Sequence, residues 1–156
     1  MNYFIIDWKW ILSILLSVFT LYISYKVYRR QIAMSNLTEI REKLRDIGDV
    51  NLSSNLRVRP TLRKYKHPFL GKKYVELEFK FYIGLGPYKN TLPPRGWKPV
   101  RPGWGYEKID LSRIEFVEQV SVEESGLVVK CSTIDPIQCK EVAEKIIQAM
   151  LKKPEG

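Results

Sequence analysis

Three apolar periodicities divide this chain. From Trp10 to Tyr25 the sequence WILSILLSVFTLYISY carries no charge. Extended to Trp8 and Val27 it gives twenty residues, about 30 Å of helix and enough to cross the hydrocarbon of a bilayer. Within it Ser13, Ser17, Thr20 and Ser24 recur at spacings of 4, 3 and 4, so all four fall on one helical face. At Leu37 the pattern changes. Leu37, Ile40, Leu44 and Ile47 form the single stripe of a short amphipathic helix. Asn36 with Glu39 fits a capping box, and Gly48 is a natural stop. This stripe is out of phase with the Ser/Thr stripe by roughly 140°, which predicts a break near Ser35 and Asn36. Asp49 to Asn55 reads as a linker.

Beyond it the period falls to two. Leu56, Val58 and Leu62 alternate with Arg57, Arg59 and Arg63, a half-buried strand that Pro60 assigns to an edge or a bulge. Val75, Leu77, Phe79, Phe81 and Ile83 alternate with Glu76, Glu78, Lys80 and Tyr82. Ile114, Phe116, Val120 and Val122 are set against Leu127, Val129 and Cys131 across an EESG turn, a hairpin pattern. The period of 3.6 returns at Asp135-Pro136, an N-cap followed by proline at the first helical position, with Gln138 placed to close the box. Val142, Ala143, Ile146, Ile147, Met150 and Leu151 make that helix's apolar face, and Pro154 ends it.

The expected fold is therefore α+β. A single N-terminal transmembrane helix and a short amphipathic helix precede a small antiparallel sheet of four to five strands, closed by a C-terminal helix. In residue terms, 1–7 form a short extracytoplasmic tail, 8–28 the anchor, 29–48 a juxtamembrane helix, 49–55 a linker and 56–156 a cytoplasmic domain. Trp8, Trp10, Tyr22, Tyr25 and Tyr28 gather towards the ends of the span as interfacial aromatics do. Nine Leu, Ile, Val and Phe residues between Trp10 and Tyr25 contribute roughly −3 to −5 kcal/mol to insertion. A cleaved signal peptide would instead need a basic start and small residues at a cleavage site. The front is MNYFIIDWK and the back YISYKVYRR. A core helix would leave the terminal aromatics without a purpose. Lys26, Arg29, Arg30, Arg41, Lys43 and Arg45 follow the span while Lys9 precedes it, which places the N-terminus outside and the domain in the cytoplasm.

Charge then alters the picture. The net charge is +9, but residues 50–106 hold 12 basic groups against Glu76 and Glu78 alone. Such a segment expects an anionic neighbour, lipid headgroups or nucleic acid. Two groups of candidate contacts stand out. The first is Arg57, Arg59, Arg63, Lys64, Lys66, Lys72 and Lys73, whose alternative is a solvated strand face paired with Glu76 and Glu78. The second lies in residues 84–105, where ten of 22 residues are Gly or Pro. There Tyr88, Trp97 and Trp104 interleave with Lys89, Arg95, Lys98 and Arg101. Aromatic faces among cations suit stacked bases or a headgroup layer; equally, the tryptophans would fold back to cap the core.

The Ser/Thr stripe offers contact between membrane helices, or simply hydroxyls bonded to their own backbone. The chemistry of catalysis is poorly supplied. His67 is the only histidine and has no partner at motif spacing, and no P-loop, HExxH or GxSxG is present. Cys131 and Cys139 read as reduced core thiols, too few for a disulfide framework, and no cofactor or metal site is implied. The function expected is that of a membrane-tethered, non-enzymatic binding or scaffolding module that meets an anionic surface. Two alternatives are a membrane-anchored nucleic-acid binder and a structural subunit assembling through its transmembrane and juxtamembrane helices, for which a homo-oligomer is one possible form.

Overall fold

The computed structural model describes residues 8–67, 71–84, 97–100, 109–124 and 126–152, with the backbone alone for 97–100. The chain divides into two compact units, Met1–Ser35 and Asn36–Gly156.

In the first unit the backbone is helical from Trp8, and the helix α1 (Trp8–Ile47) continues into the second. Its most apolar stretch has mean hydropathy 1.6 and none of it is buried. It is long and apolar enough to cross a membrane. The expected break at Ser35 and Asn36 does not occur, and the Asn36–Glu39 capping box is not formed because both residues lie within α1. Two stripes can differ in phase along one unbroken helix when each meets different surroundings, and neither Ser nor Asn removes a backbone donor. Gly48 follows with φ 67°, the left-handed conformation that ends a helix.

The second unit holds an antiparallel sheet with the path β1 (Val50–Asn51), β2 (Leu56–Lys66), β3 (Tyr74–Gly84), β6 (Gly126–Cys131) and β5 (Val117–Glu123). A further strand, β4 (Trp97–Val100), pairs with the end of β3. Sequence patterning missed β1, which is two residues within the expected linker, and β4, which crosses the Gly/Pro-rich stretch. Neither is long enough to show a period. Pro60 stands beyond the two β2 residues that β1 covers, and a bulge lies between Leu62 and Lys64. Ile114 and Phe116 precede β5 rather than joining it. Phe116 has φ 68° in the turn, and its carbonyl accepts from the Ser132 amide.

Alternation puts Leu56, Val58, Val75, Leu77, Phe79, Phe81, Leu127, Val129 and Cys131 on the inner side of the sheet, all buried. Ile40 and Leu44 of α1, Leu111, and Cys139, Val142, Ala143, Ile146, Ile147 and Met150 of α2 (Pro136–Leu151) complete one cluster. Every member lies at or beyond Ile40. Leu151 is 44 % exposed, outside the buried face expected for it, and is the last residue of α2. The α2 N-cap is Asp135, whose carboxylate accepts from the amides of Ile137 and Gln138, both at 3.0 Å. Gln138 does not reach back to the cap itself. The Thr133 hydroxyl accepts from the Asp135 amide at 3.1 Å and donates to Gln138 Oε1, so a relay closes the box.

Gly126 opens β6 with φ 142°, and a Cβ there would lie 2.2 Å from the Phe79 carbonyl oxygen. That contact is backbone, so it cannot be relieved by a rotamer change. Gly126→Ala is expected to cost about 2 kcal/mol or more, read as a lower thermal midpoint; an unchanged midpoint would show that the hairpin yields freely.

Candidate functional site

The outer side of the sheet carries the basic run, and the bulge in β2 decides how. Before it, Arg57, Arg59 and Thr61 face outward opposite Tyr82, Lys80 and Glu78. Strict alternation would next turn Lys64 and Lys66 inward. The extra residue at the bulge reverses the phase, so Lys64 pairs with Glu76 and Lys66 with Tyr74, while Tyr65 turns in opposite Val75. Tyr65 then packs against the core.

Ion pairs sort the cations that the sequence grouped together. Arg59 forms a bidentate pair with Asp49, its Nη2 donating to Oδ2 at 2.8 Å, and the Asp49 side chain is only 5 % exposed. That hydrogen bond holds the Arg59 guanidinium above its usual pKa. Arg63 pairs with Glu123. Arg57 is half-buried. Lys80 pairs with Glu78 and Lys130 with Glu118, each at 3.6 Å. For Arg59 and Arg63 the counter-ions are thus Asp49 and Glu123 rather than the Glu76 and Glu78 suggested by sequence proximity, and Glu78 pairs instead with Lys80 of its own strand.

Lys64, Lys66, Lys72 and Lys73 stay exposed, all at the end of the sheet where β2 hands over to β3. There the ammonium groups of Lys64, Lys66 and Lys130 stand 5.9, 5.8 and 4.6 Å from the centroid of the Tyr74 ring. Attraction to the ring face offsets part of the repulsion among three like charges. Tyr74 and Lys130 were not among the sequence candidates. Tyr74 could have been found by running the Glu76–Tyr82 alternation two residues back; Lys130 needed the β3–β6 register, in which it lies opposite Glu76. His67 lies half-buried at the edge of this region, its ring 6.3 Å from that of Tyr65.

A second feature is concave. A groove of about 570 Å³ separates the last turns of α1 from β2, lined by Arg41, Leu44, Arg45, Gly48, Asp49 and Arg59–Leu62. The sequence marks Arg41 and Arg45 only as topology signals and places Asp49 in the linker.

Of the second group of candidates, Tyr88, Arg95, Arg101 and Trp104 lie outside the described residues, as does Lys89, while Trp97 and Lys98 are placed in β4 by their backbone. In the first unit, Ser17 donates to the Ser13 carbonyl at 2.9 Å and Thr20 to the Leu16 carbonyl at 2.8 Å. Those hydroxyls are satisfied within their own helix. Cys131 and Cys139 are buried free thiols, and burial pushes both up to about 12.

No protein-family model matches this chain, and neither does any curated protein or solved structure.

Two outcomes follow. Arg59→Met strands a buried carboxylate and is expected to cost about 2 kcal/mol in thermal or urea unfolding, with Asp49→Asn in the same chain restoring at least half; additive losses would mean that the two side chains do not act as a pair. For the thiols, folded values near 12 exceed the ordinary 9.0, so their contribution is complete below pH 9 and is lost as pH rises from 9 towards 12. The unfolding midpoint should fall over that window less steeply in a Cys131→Ala/Cys139→Ala variant than in the parent, and equal slopes would discount the thiols.

Proposed function

We propose that this chain is a membrane-tethered, non-enzymatic binding module that applies the lysines around Tyr74 to the anionic headgroups of the cytoplasmic leaflet. The single observation that carries the reading is the convergence of Lys64, Lys66 and Lys130 on one tyrosine ring. Lys72 and Lys73 stand exposed immediately before that ring in the chain. A tyrosine among lysines suits the headgroup layer, where an amphipathic ring sits beside phosphates. Set against Glu76, the four exposed lysines leave a net three positive charges, worth about 3 kcal/mol on an anionic leaflet. That is weak for a free protein and ample for one held at the bilayer, because a tether supplies a high effective concentration.

The tether is the segment 8–28 of α1. Its apolar window is wholly exposed, a costly arrangement in water for Leu12, Leu15, Leu16, Val18, Phe19 and Leu21, each more than half exposed. Cations follow it in excess, which supports an N-terminus outside and the domain in the cytoplasm.

The experiment uses residues 36–156, which retain every member of the core cluster. This fragment should float with vesicles rich in phosphatidylserine, remain behind with phosphatidylcholine alone, and be released by salt. Lys64→Glu/Lys66→Glu should abolish flotation without lowering the thermal midpoint. Equal binding to neutral vesicles would defeat the proposal, and a salt-steep gel shift with single-stranded DNA in place of flotation would transfer the site to nucleic acid. For the whole chain, recovery in the soluble fraction after cell lysis would remove the anchor.

A further inference from the structure

We infer that the groove between the last turns of α1 and β2 is a docking site for an acidic, extended segment of a partner protein, which adds to the sheet as a strand beyond the end of β1. The site is distinct from the lysines around Tyr74 and does not depend on the lipid reading.

The uncovered edge is the first argument. β1 pairs with β2 only at Arg57 and Val58, and the groove opens on the next four residues, Arg59 to Leu62. Among the described residues no strand covers β2 on that side. The Leu56 carbonyl accepts from the Leu52 and Ser53 amides, so alternation sends the backbone groups of Val58, Pro60 and Leu62 to the same side. Proline has no N–H to give. The edge therefore offers the Pro60 carbonyl and both groups of Leu62, and the bulge ends it. Such an edge is too short and too blunted to recruit strands indiscriminately, yet a helix beside it makes a slot of the kind that captures one extended peptide.

Charge selects the occupant. Arg41 and Arg45 stand one helical turn apart on the groove wall, both exposed, and neither has an ion-pair partner among the described residues. The acid in the groove, Asp49, is already held by Arg59. What is left over is two guanidinium groups above a floor of Leu44, Pro60 and Leu62. Guanidinium forks match carboxylates with two parallel hydrogen bonds, and the floor takes the apolar residues that alternate with them. A basic or a purely polar strand would leave both arginines unpaired.

The test uses the full chain in detergent micelles and a short fluorescein-labelled peptide alternating glutamate and valine. Fluorescence anisotropy should show saturable binding, lost on replacing glutamate by lysine. Methylation of alternate peptide amides, which removes strand pairing and leaves the charge, should weaken binding about tenfold or more. Arg41→Glu/Arg45→Glu, at exposed helix positions with the thermal midpoint as a folding control, should weaken it by at least as much. In hydrogen exchange the Leu62 amide should slow when the peptide is present. Absence of binding, indifference to arginine reversal, or an unprotected Leu62 amide would each overturn the assignment, and equal affinity for the methylated peptide would reduce it to charge attraction without strand addition.

Discussion

β3 is hydrogen-bonded along both edges, to β2 on one side and to β6 and β4 on the other. That double pairing fixes the phase of the whole sheet. Val75, Leu77, Phe79 and Phe81 must all point towards the helices, because a slip of one residue would turn four buried apolar side chains to water and bring Glu76, Glu78 and Lys80 inward. Neighbouring strands inherit the phase through their registers. The outer face then follows as a remainder: β3 sets Glu76 and Lys80 there beside Tyr74 and Tyr82, while Glu78 is buried even on that side.

On that face, burial and pairing separate cations that look equivalent on paper. An arginine next to a nearly inaccessible carboxylate, as Arg59 is to Asp49, serves the fold before any ligand. Lysines at the strand ends have no such duty. The contrast matches the chemistry of the two side chains, since the planar guanidinium holds a buried carboxylate with two bonds while the ammonium group stays hydrated on a flexible stem. Sites on this protein are thus found less by counting positive charge than by asking which charges the structure leaves unanswered.

The long elements were legible from sequence because their periods run over many residues: the apolar helix, the β3 alternation, the 126–131 strand and the Asp135-capped helix. What sequence could not supply was anything dependent on partners distant in the chain. The pairing of Asp49 with Arg59 requires β1, which is two residues long. The meeting of Lys64 with Lys130 at Tyr74 requires strands 66 positions apart to flank β3. The groove requires the end of α1 to lie beside β2, a matter of packing rather than pattern. Even the α2 cap departed from its motif, because Thr133 came between Gln138 and the amide that Gln138 was expected to serve.

The irregularity at Leu62 and Lys64 makes chain length, rather than residue type, the protected quantity in β2. Arginine or glutamine in place of Lys64 or Lys66 would change the chemistry of the outer face and leave the architecture alone. Removing one residue would instead act as a frame error in three dimensions: two ammonium groups would be driven into the apolar interior and Tyr65 ejected from it, each reversal costing several kcal/mol. Surface chemistry here is thereby free to drift in kind while its spacing stays locked to the interior.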